Sequence, residues 1–202
     1  MNNVAVIILA GGQGTRFGSK KQFVLFKGQE LWKHIYNKIL KFIPKEKIVV
    51  VGVDIEGGLT RSGSVINGLQ FLNKLNQNFE RVLILEAARP LVTSDQLETI
   101  LNDNHLSTTF SLPLVSTIIK KDKTYLDRND YCKLSTPVIF DYDLFSKAYL
   151  SGKYNDYTDD TRVMYEEYGI KPHLLVGAEN LLKLTYKSDL LILEKLSEEY
   201  EQ

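Results

Sequence analysis

The residues best suited to chemistry stand in one early stretch, LAGGQGTRFGSKKQF, residues 9–23. Gly11, Gly12 and Gly14 follow an apolar run, and Arg16, Lys20 and Lys21 follow the glycines. Glycines after a strand free a row of backbone N–H groups to point one way, and such a nest takes phosphate oxygens. Arg16 and Lys21 add the charge that a polyphosphate needs. The stretch is not GxxxxGK[ST], and it lacks the spacing of a dinucleotide fingerprint. The competing reading is a solvated tight turn beside ordinary surface cations. Glu86 is the next group of interest: it ends the apolar run RVLILE, where a carboxylate is costly unless it is paired or faces a site. Asp159 lies in a TDD run that opens a helical segment, a place where acids commonly cap the helix.

These residues need elements to position them. VAVIIL, residues 4–9, reads as a buried parallel strand. A helical pattern follows from about Glu30 to Phe42, then a second buried strand at 47–53. Residues 62–75 place Val65, Leu69, Leu72 and Leu75 on one helical face. A third strand covers 81–86. Thr93 with Gln96 forms a capping box for a helix to about Asn102. Residues 110–119 read as a strand, KKDK at 120–123 as a hairpin turn, and TYL as the returning limb. Helices are predicted near 142–150, 160–168 and 187–200, with a short strand at 173–177. The alternation predicts an α/β fold: a single Rossmann-like domain over 1–202, with a mostly parallel central sheet flanked by helices and a short antiparallel arm at about 115–130.

Composition sets the outer bounds. The chain has 202 residues, enough for one sizeable core, and is 44% hydrophobic and 25% charged. Its 25 Lys and Arg balance 25 Asp and Glu, which argues against a nonspecific nucleic-acid binder. The single cysteine, Cys132, excludes an internal disulfide framework. His34, His105 and His173 are scattered along the chain and predict no cluster, and zinc-type spacings are absent. The early apolar run is too short to span a membrane and lacks the basic flank of a secretory signal, so a cytoplasmic protein without a membrane partner is expected.

Several stretches together resemble one family. LAGGQGTRFG followed by KQF is similar to the signature of nucleotidyltransferases that make activated sugars and polyols. GGLTRSGSVINGL at 57–69 resembles the GGxxRxxSVxxGL motif of the methylerythritol-phosphate and ribitol-phosphate cytidylyltransferase family. EAARP at 86–90, LDRNDYCKLSTP at 126–137, YTDDTRVMYEEYG at 157–169 and NLLKLT at 180–185 resemble that family's remaining motifs, in family order.

The resemblance implies attack by a polyol-phosphate oxygen on the α-phosphorus of CTP, giving a CDP-polyol and pyrophosphate. No general base is needed, because a phosphate monoester is already ionised; the site must instead neutralise charge spread over phosphoryl oxygens. Carried over residue by residue, the backbone of Ala10, Gly11, Gly12, Gln13 and Gly14 holds the nucleotide, and Gly57, Gly58, Arg61 and Ser64 belong to the same nucleotide subsite. Ser64 alternatively caps a helix. Arg16, Lys21 and Lys183 are the catalytic cations. Glu86, Arg89, Thr117, Arg128 and Thr136 serve the polyol phosphate, an Arg fork being suited to phosphate. Glu86 and Asp159 are the acids of a Mg²⁺ site. The arm of this family crosses to a second subunit, so a homodimer is implied; an exposed hairpin with solvated charge is the alternative.

The chain also departs from the family pattern. Lys20 replaces the usual proline, and the loop is shorter, so Lys20 competes with Lys21. Leu85–Glu86 stands for a His–Asp pair, Ser116 for an Asp and Val138 for a Gln, and an extra residue separates Asn180 from Lys183. These changes gather on the acceptor side and leave 2-C-methyl-D-erythritol 4-phosphate and D-ribitol 5-phosphate both open. Two other readings stand beside these: a GTP-using nucleotidyltransferase of molybdenum-cofactor type, disfavoured by EAARP, and a nucleotide-binding homologue without activity.

Overall fold

The computed structural model describes residues 3–200. Its first strand, β1 (Val4–Leu9), alternates between two apolar layers. Val4, Val6 and Ile8 face one layer with Ile35, Ile39, Leu97 and Ile100, while Ala5 and Ile7 face the other with Leu69, Leu72, Phe145 and Val163. Both faces of the strand are therefore buried, as its unbroken β-branched run requires.

Past the glycine loop come two short paired strands, β2 (Leu25–Phe26) and β3 (Gln29–Glu30), then α1 (Leu31–Ile39) and β4 (Ile48–Val51). Helix α2 (Arg61–Lys74) lies so close on β1 that a Cβ at Gly68 would come within 2.9 Å of Ile7. Strand β5 (Arg81–Glu86) and helix α3 (Ser94–Asn102) follow. At the start of α3 the capping box of Thr93 and Gln96 is present in both directions.

The strand expected at 110–119 is two elements: β6 (Ser107–Pro113) and the two-residue β7 (Ile118–Ile119), separated after Pro113, which has no N–H to continue the ladder. β7 pairs antiparallel with β8 (Tyr125–Leu126), forming the tip of the arm. The sequence reading has no strand for β9 (Cys132–Asp141), which is ten residues long. Helices α4 (Tyr142–Leu150) and α5 (Asp160–Tyr168), strand β10 (His173–Val176) and helix α6 (Asp189–Tyr200) complete the chain.

The six-stranded sheet runs β10-β6-β9-β5-β1-β4. β1 is parallel to β4 and β5, and β6 is parallel to β10. β9 is antiparallel to both neighbours, β5 and β6, so the sheet is mostly parallel with one inverted strand in its interior. The antiparallel excursion thus reaches further than the arm, into the sheet itself. Helices cover both faces. A third apolar cluster, Phe17, Phe26, Leu31, Leu91, Leu184 and Leu193, packs beneath the glycine loop and ties it to α6.

Candidate active site

The site lies at the carboxyl ends of β1, β4 and β5, where open α/β sheets bind ligands. The glycine loop leaves β1 after Ala10, whose N–H bonds the carbonyl of Val51 at 2.8 Å. Among the described residues, the N–H groups of Gly11, Gly12, Gln13 and Gly14 make no backbone hydrogen bond. Gly14 has φ +66°, and a Cβ there would sit 1.8 Å from the carbonyl oxygen of Ser19. A Cβ on Gly11 would stand 2.8 Å from Cα of Gly57, and one on Gly57 2.9 Å from Cα of Gly11. The loop is therefore pressed backbone to backbone against the chain that leads into α2.

A cleft of about 270 Å³ opens over this loop. Ala10, Gly11, Gly12, Gln13, Gly14, Arg16 and Lys21 line it from one side, and Gly58, Arg61 and Ser64 from α2 and its approach. Glu86 and Lys183 close it. Gly57 does not line it; its place is the contact with Gly11. Lys21 is half-buried in the cleft, and its Nζ donates to the carbonyl of Leu184. Lys20 is exposed and outside the lining. Burial, with Lys183 next and Arg16 adding to it, holds the Lys21 ammonium down at about 8, against the pull of Glu86.

A smaller pocket adjoins the cleft and shares Arg61, Glu86 and Lys183 with it. Arg89, Thr136 and Asp159 line its far side, together with Thr109, Ser135 and Thr161. Arg89 Nε donates to Thr136 Oγ1 at 2.9 Å, and Nη1 donates to the carbonyl of Leu181. Glu86 is buried between three cations. Its Oε1 accepts from Arg61 Nε at 3.1 Å, and its Oε2 pairs with Lys183 Nζ at 2.7 Å and lies 3.8 Å from Arg89 Nε. Burial alone would raise its pKa; Lys183, Arg61 and Arg89 outweigh burial and hold it at about 2.

Asp159 caps α5: its Oδ1 accepts from Arg162 N at 3.0 Å and from Thr161 Oγ1. Capping and a place on the pocket wall coexist in this residue. The cap of α2 is Thr60, which accepts from Gly63 N at 2.9 Å, and not Ser64. Ser64 Oγ instead accepts from Gly58 N at 3.1 Å and donates to the carbonyl of Thr60, fixing the glycine turn. Thr117 and Arg128 lie on the exposed arm and line neither pocket within this chain; Arg128 Nη1 donates to the carbonyl of Val115.

Sequence reasoning missed Asp160. It is 1% exposed, receives both terminal nitrogens of Arg61, and accepts from the hydroxyl of Tyr149. Its signal is the second acid of the TDD run, next to the Asp159 that the sequence reading singles out. His105 and His173, read as scattered, are in contact, their rings stacked with centroids 4.0 Å apart. Pairing of β10 with β6 joins them, which spacing along the chain does not reveal.

Comparison with known proteins gives this geometry a family. The family model described as 2-C-methyl-D-erythritol 4-phosphate cytidylyltransferase, IspD, matches residues 4–199. The chain is 30% identical over 226 residues to the protein of that name from Thermotoga neapolitana, covering 99% of both chains. Among solved structures, the bifunctional IspDF of Campylobacter jejuni is similar with a TM-score of 0.82 and 28% identity, over 96% of this chain and 55% of that one. The 2-C-methyl-D-erythritol 4-phosphate cytidylyltransferase of Thermus thermophilus shares the fold with a TM-score of 0.77, at 22% identity, over 98% of this chain and 100% of that one. The cleft on the glycine loop, walled by Arg16, Lys21 and Lys183 and adjoining a second pocket, thus occurs in a chain that belongs to the 2-C-methyl-D-erythritol 4-phosphate cytidylyltransferase family.

Proposed function

We propose that this chain, as one nucleotidyltransferase domain, transfers CMP from CTP to 2-C-methyl-D-erythritol 4-phosphate, releasing pyrophosphate. The observation that carries the proposal is the pair of adjoining pockets with Arg61, Glu86 and Lys183 as their common wall. A transfer reaction needs donor and acceptor side by side, with the reacting phosphorus at the boundary. The larger cleft takes the nucleotide: the loop N–H groups face its phosphates, and Gly58 and Ser64 border the base. Arg16, Lys21 and Lys183 flank the α-phosphorus and offset the charge that grows on its oxygens during attack. The smaller pocket takes the acceptor phosphate, with Arg89 and Thr136 on its wall. Glu86 spaces the cations apart and keeps them oriented while the site is empty of phosphate.

The donor set suits a Mg²⁺ ion that arrives with the triphosphate rather than one held by protein alone. Among the described residues lining the nucleotide cleft, Glu86 is the sole carboxylate, and magnesium commonly takes one or two carboxylates with substrate phosphates. Bound there, the ion would neutralise phosphate charge. Asp159 stands on the acceptor side, with one oxygen committed to its helix.

The arm exposes Val115, Ile119, Tyr125 and Tyr131. We assign it to a second copy of the chain, whose acceptor pocket would receive Thr117 and Arg128. The arm's apolar surface and the absence of both residues from this chain's own pockets support that assignment. No helix among the described residues is long and apolar enough to cross a membrane, and the reaction belongs in the cytoplasm with its CTP.

The test is pyrophosphate release with CTP and Mg²⁺, offering 2-C-methyl-D-erythritol 4-phosphate and D-ribitol 5-phosphate in parallel, and GTP in place of CTP as control. Turnover with the first acceptor and CTP is expected. Turnover only with ribitol phosphate, or only with GTP, overturns the assignment.

A further inference from the structure

At the other end of the sheet from the glycine loop, three potential metal ligands meet. Asp103 follows α3, His105 precedes β6, and His173 opens β10. The parallel register sets His173 opposite Thr108, and this brings the two imidazoles together although 68 residues separate them. Their rings stack at 26°. Asp103 Oδ1 lies 3.0 Å from Nδ1 of His105, and Oδ2 lies 2.7 Å from Nδ1 of His173. One donor atom from each of the three residues lies within 4.8 Å of the others.

We propose that Asp103, His105 and His173 form a binding site for a transition-metal dication of the zinc class. Two borderline imidazole nitrogens beside one hard carboxylate oxygen suit Zn²⁺, Co²⁺ or Ni²⁺, and the imidazoles disfavour Mg²⁺ and Ca²⁺. Bonds of about 2.0–2.2 Å in a tetrahedron set donor atoms roughly 3.3–3.5 Å apart. The carboxylate–imidazole separations of 3.0 and 2.7 Å are already at or under that spacing, so the closure needed is between the two imidazoles, whose donor atoms lie within 4.8 Å, and side-chain rotation can supply it. Both imidazoles can rotate, their side chains being 61% and 39% exposed. The fourth position opens to solvent and takes a water.

The ligands already have the support that metal ligands require. Thr108 Oγ1 donates to Asp103 Oδ1, and the backbone N–H of His105 donates to the same oxygen at 3.0 Å. Behind them Arg81 Nη1 and Nη2 donate to the carbonyls of Asp103 and His105 at 2.7 and 2.8 Å, which fixes the turn carrying both residues. The carboxylate is thus aimed, and the imidazoles are free to close on an ion. The competing account is a carboxylate that merely hydrogen-bonds two imidazoles. That account gives metal ions no preference for this place. An ion bound here would join the end of α3 and the start of β6 to β10, an edge strand held to the sheet through β6 alone.

The deciding experiment titrates Zn²⁺ into the EDTA-stripped full-length protein by calorimetry, with Co²⁺ absorption as a second readout. Wild type is compared with the double variant His105→Ala/His173→Ala and with His105→Gln, which alters only the more exposed ring. Wild type should bind one equivalent that the double variant loses, with His105→Gln weakened at least tenfold. Zinc at a hundredfold excess over Kd should raise wild-type Tm by on the order of 5 °C and leave the double variant unmoved. Circular dichroism and turnover with CTP and Mg²⁺ should be unchanged in His105→Gln, so that lost binding is not lost folding. Equal zinc affinity in all three proteins, or no stoichiometric binding in wild type, overturns the proposal.

Discussion

Arg61 and Asp160, 99 residues apart, meet in a two-pronged ion pair, with Nη1 to Oδ1 at 2.7 Å and Nη2 to Oδ2 at 2.6 Å. The remaining nitrogen of the guanidinium holds Glu86. One side chain at the start of α2 thereby joins the start of α5 to the end of β5, and these three ends form the boundary between the two pockets. Asp160→Ala leaves a buried guanidinium short of its partner, and breaking such a pair costs about 3 kcal/mol or more. Urea denaturation should show that loss, while a midpoint equal to wild type would remove the pair from the list of groups that hold the site together.

Lys21 should shape the alkaline side of the activity profile. Its folded pKa is lowered from 10.5 to about 8, chiefly by burial and then by Lys183. It is charged below about 8 and neutral above, so the free cleft loses a cation as pH rises through that value. The same depression costs stability where the ammonium is charged, and that cost fades as pH rises from about 8 towards 10.5. The kcat/KM for CTP is expected to fall above about pH 8, and Lys21→Arg should abolish that fall. A flat profile to pH 9.5 in wild type would contradict it.

Glu86 acts at the acid end. Its folded pKa is about 2, below the ordinary 4.5, because Lys183, Arg61 and Arg89 overcome its burial. A depressed carboxylate contributes stability that is fully present above its unfolded pKa and is lost as pH falls towards the folded one. Wild type should therefore lose stability between about pH 4.5 and 2. In Glu86→Gln that portion of the slope disappears, and denaturant midpoints measured at successive pH values would show it.

Removal of the loop cations separates binding from chemistry. Arg16→Ala and Lys21→Ala should each lower kcat by roughly 10²–10³, the usual effect of losing one preorganised donor at developing charge. Calorimetric CTP affinity should change much less. A large fall in affinity with kcat preserved would make these residues ground-state binders.

The arm assignment has a complementation test. Arg128→Ala spoils what a subunit lends, and Lys183→Ala spoils what it keeps. Each variant alone should be nearly inactive. An equal mixture, after subunit exchange, should recover about a quarter of wild-type activity, because half the dimers carry one intact composite site. No recovery, with mixed dimers shown by mass, would mean that Arg128 acts within its own chain or not at all.

Much of this fold was legible because local chemistry and tertiary role agree. β1 and β5 declare themselves by unbroken apolar runs, and α3 by a complete capping box. β9 did not, for physical reasons. CKLSTPVIFD begins with a mostly polar half, of which Cys132 and Lys133 are exposed, and has a proline within it, and proline argues against an interior strand. The ladder accommodates it where the β6 register shifts, between Thr109 and Phe110. Of the site, the glycine nest and its cations could be read from spacing. The joining of Arg61 to Asp160, and of His105 to His173, could not, since sheet order and not sequence distance makes these contacts.

The mutual pressure of Gly11 and Gly57 bears on how this chain can change over time. Each glycine leaves no room for so much as a methyl group on the other. Gly52 is caught in the same stack, where an added Cβ would stand 2.5 Å from both N and Cα of Gly11. A first substitution at any of the three must displace backbone, and no later change at the other two can reopen the space. The route to another side chain here is closed one step at a time. A lineage that abandoned catalysis would be released from keeping its lysines long before it was released from keeping these glycines.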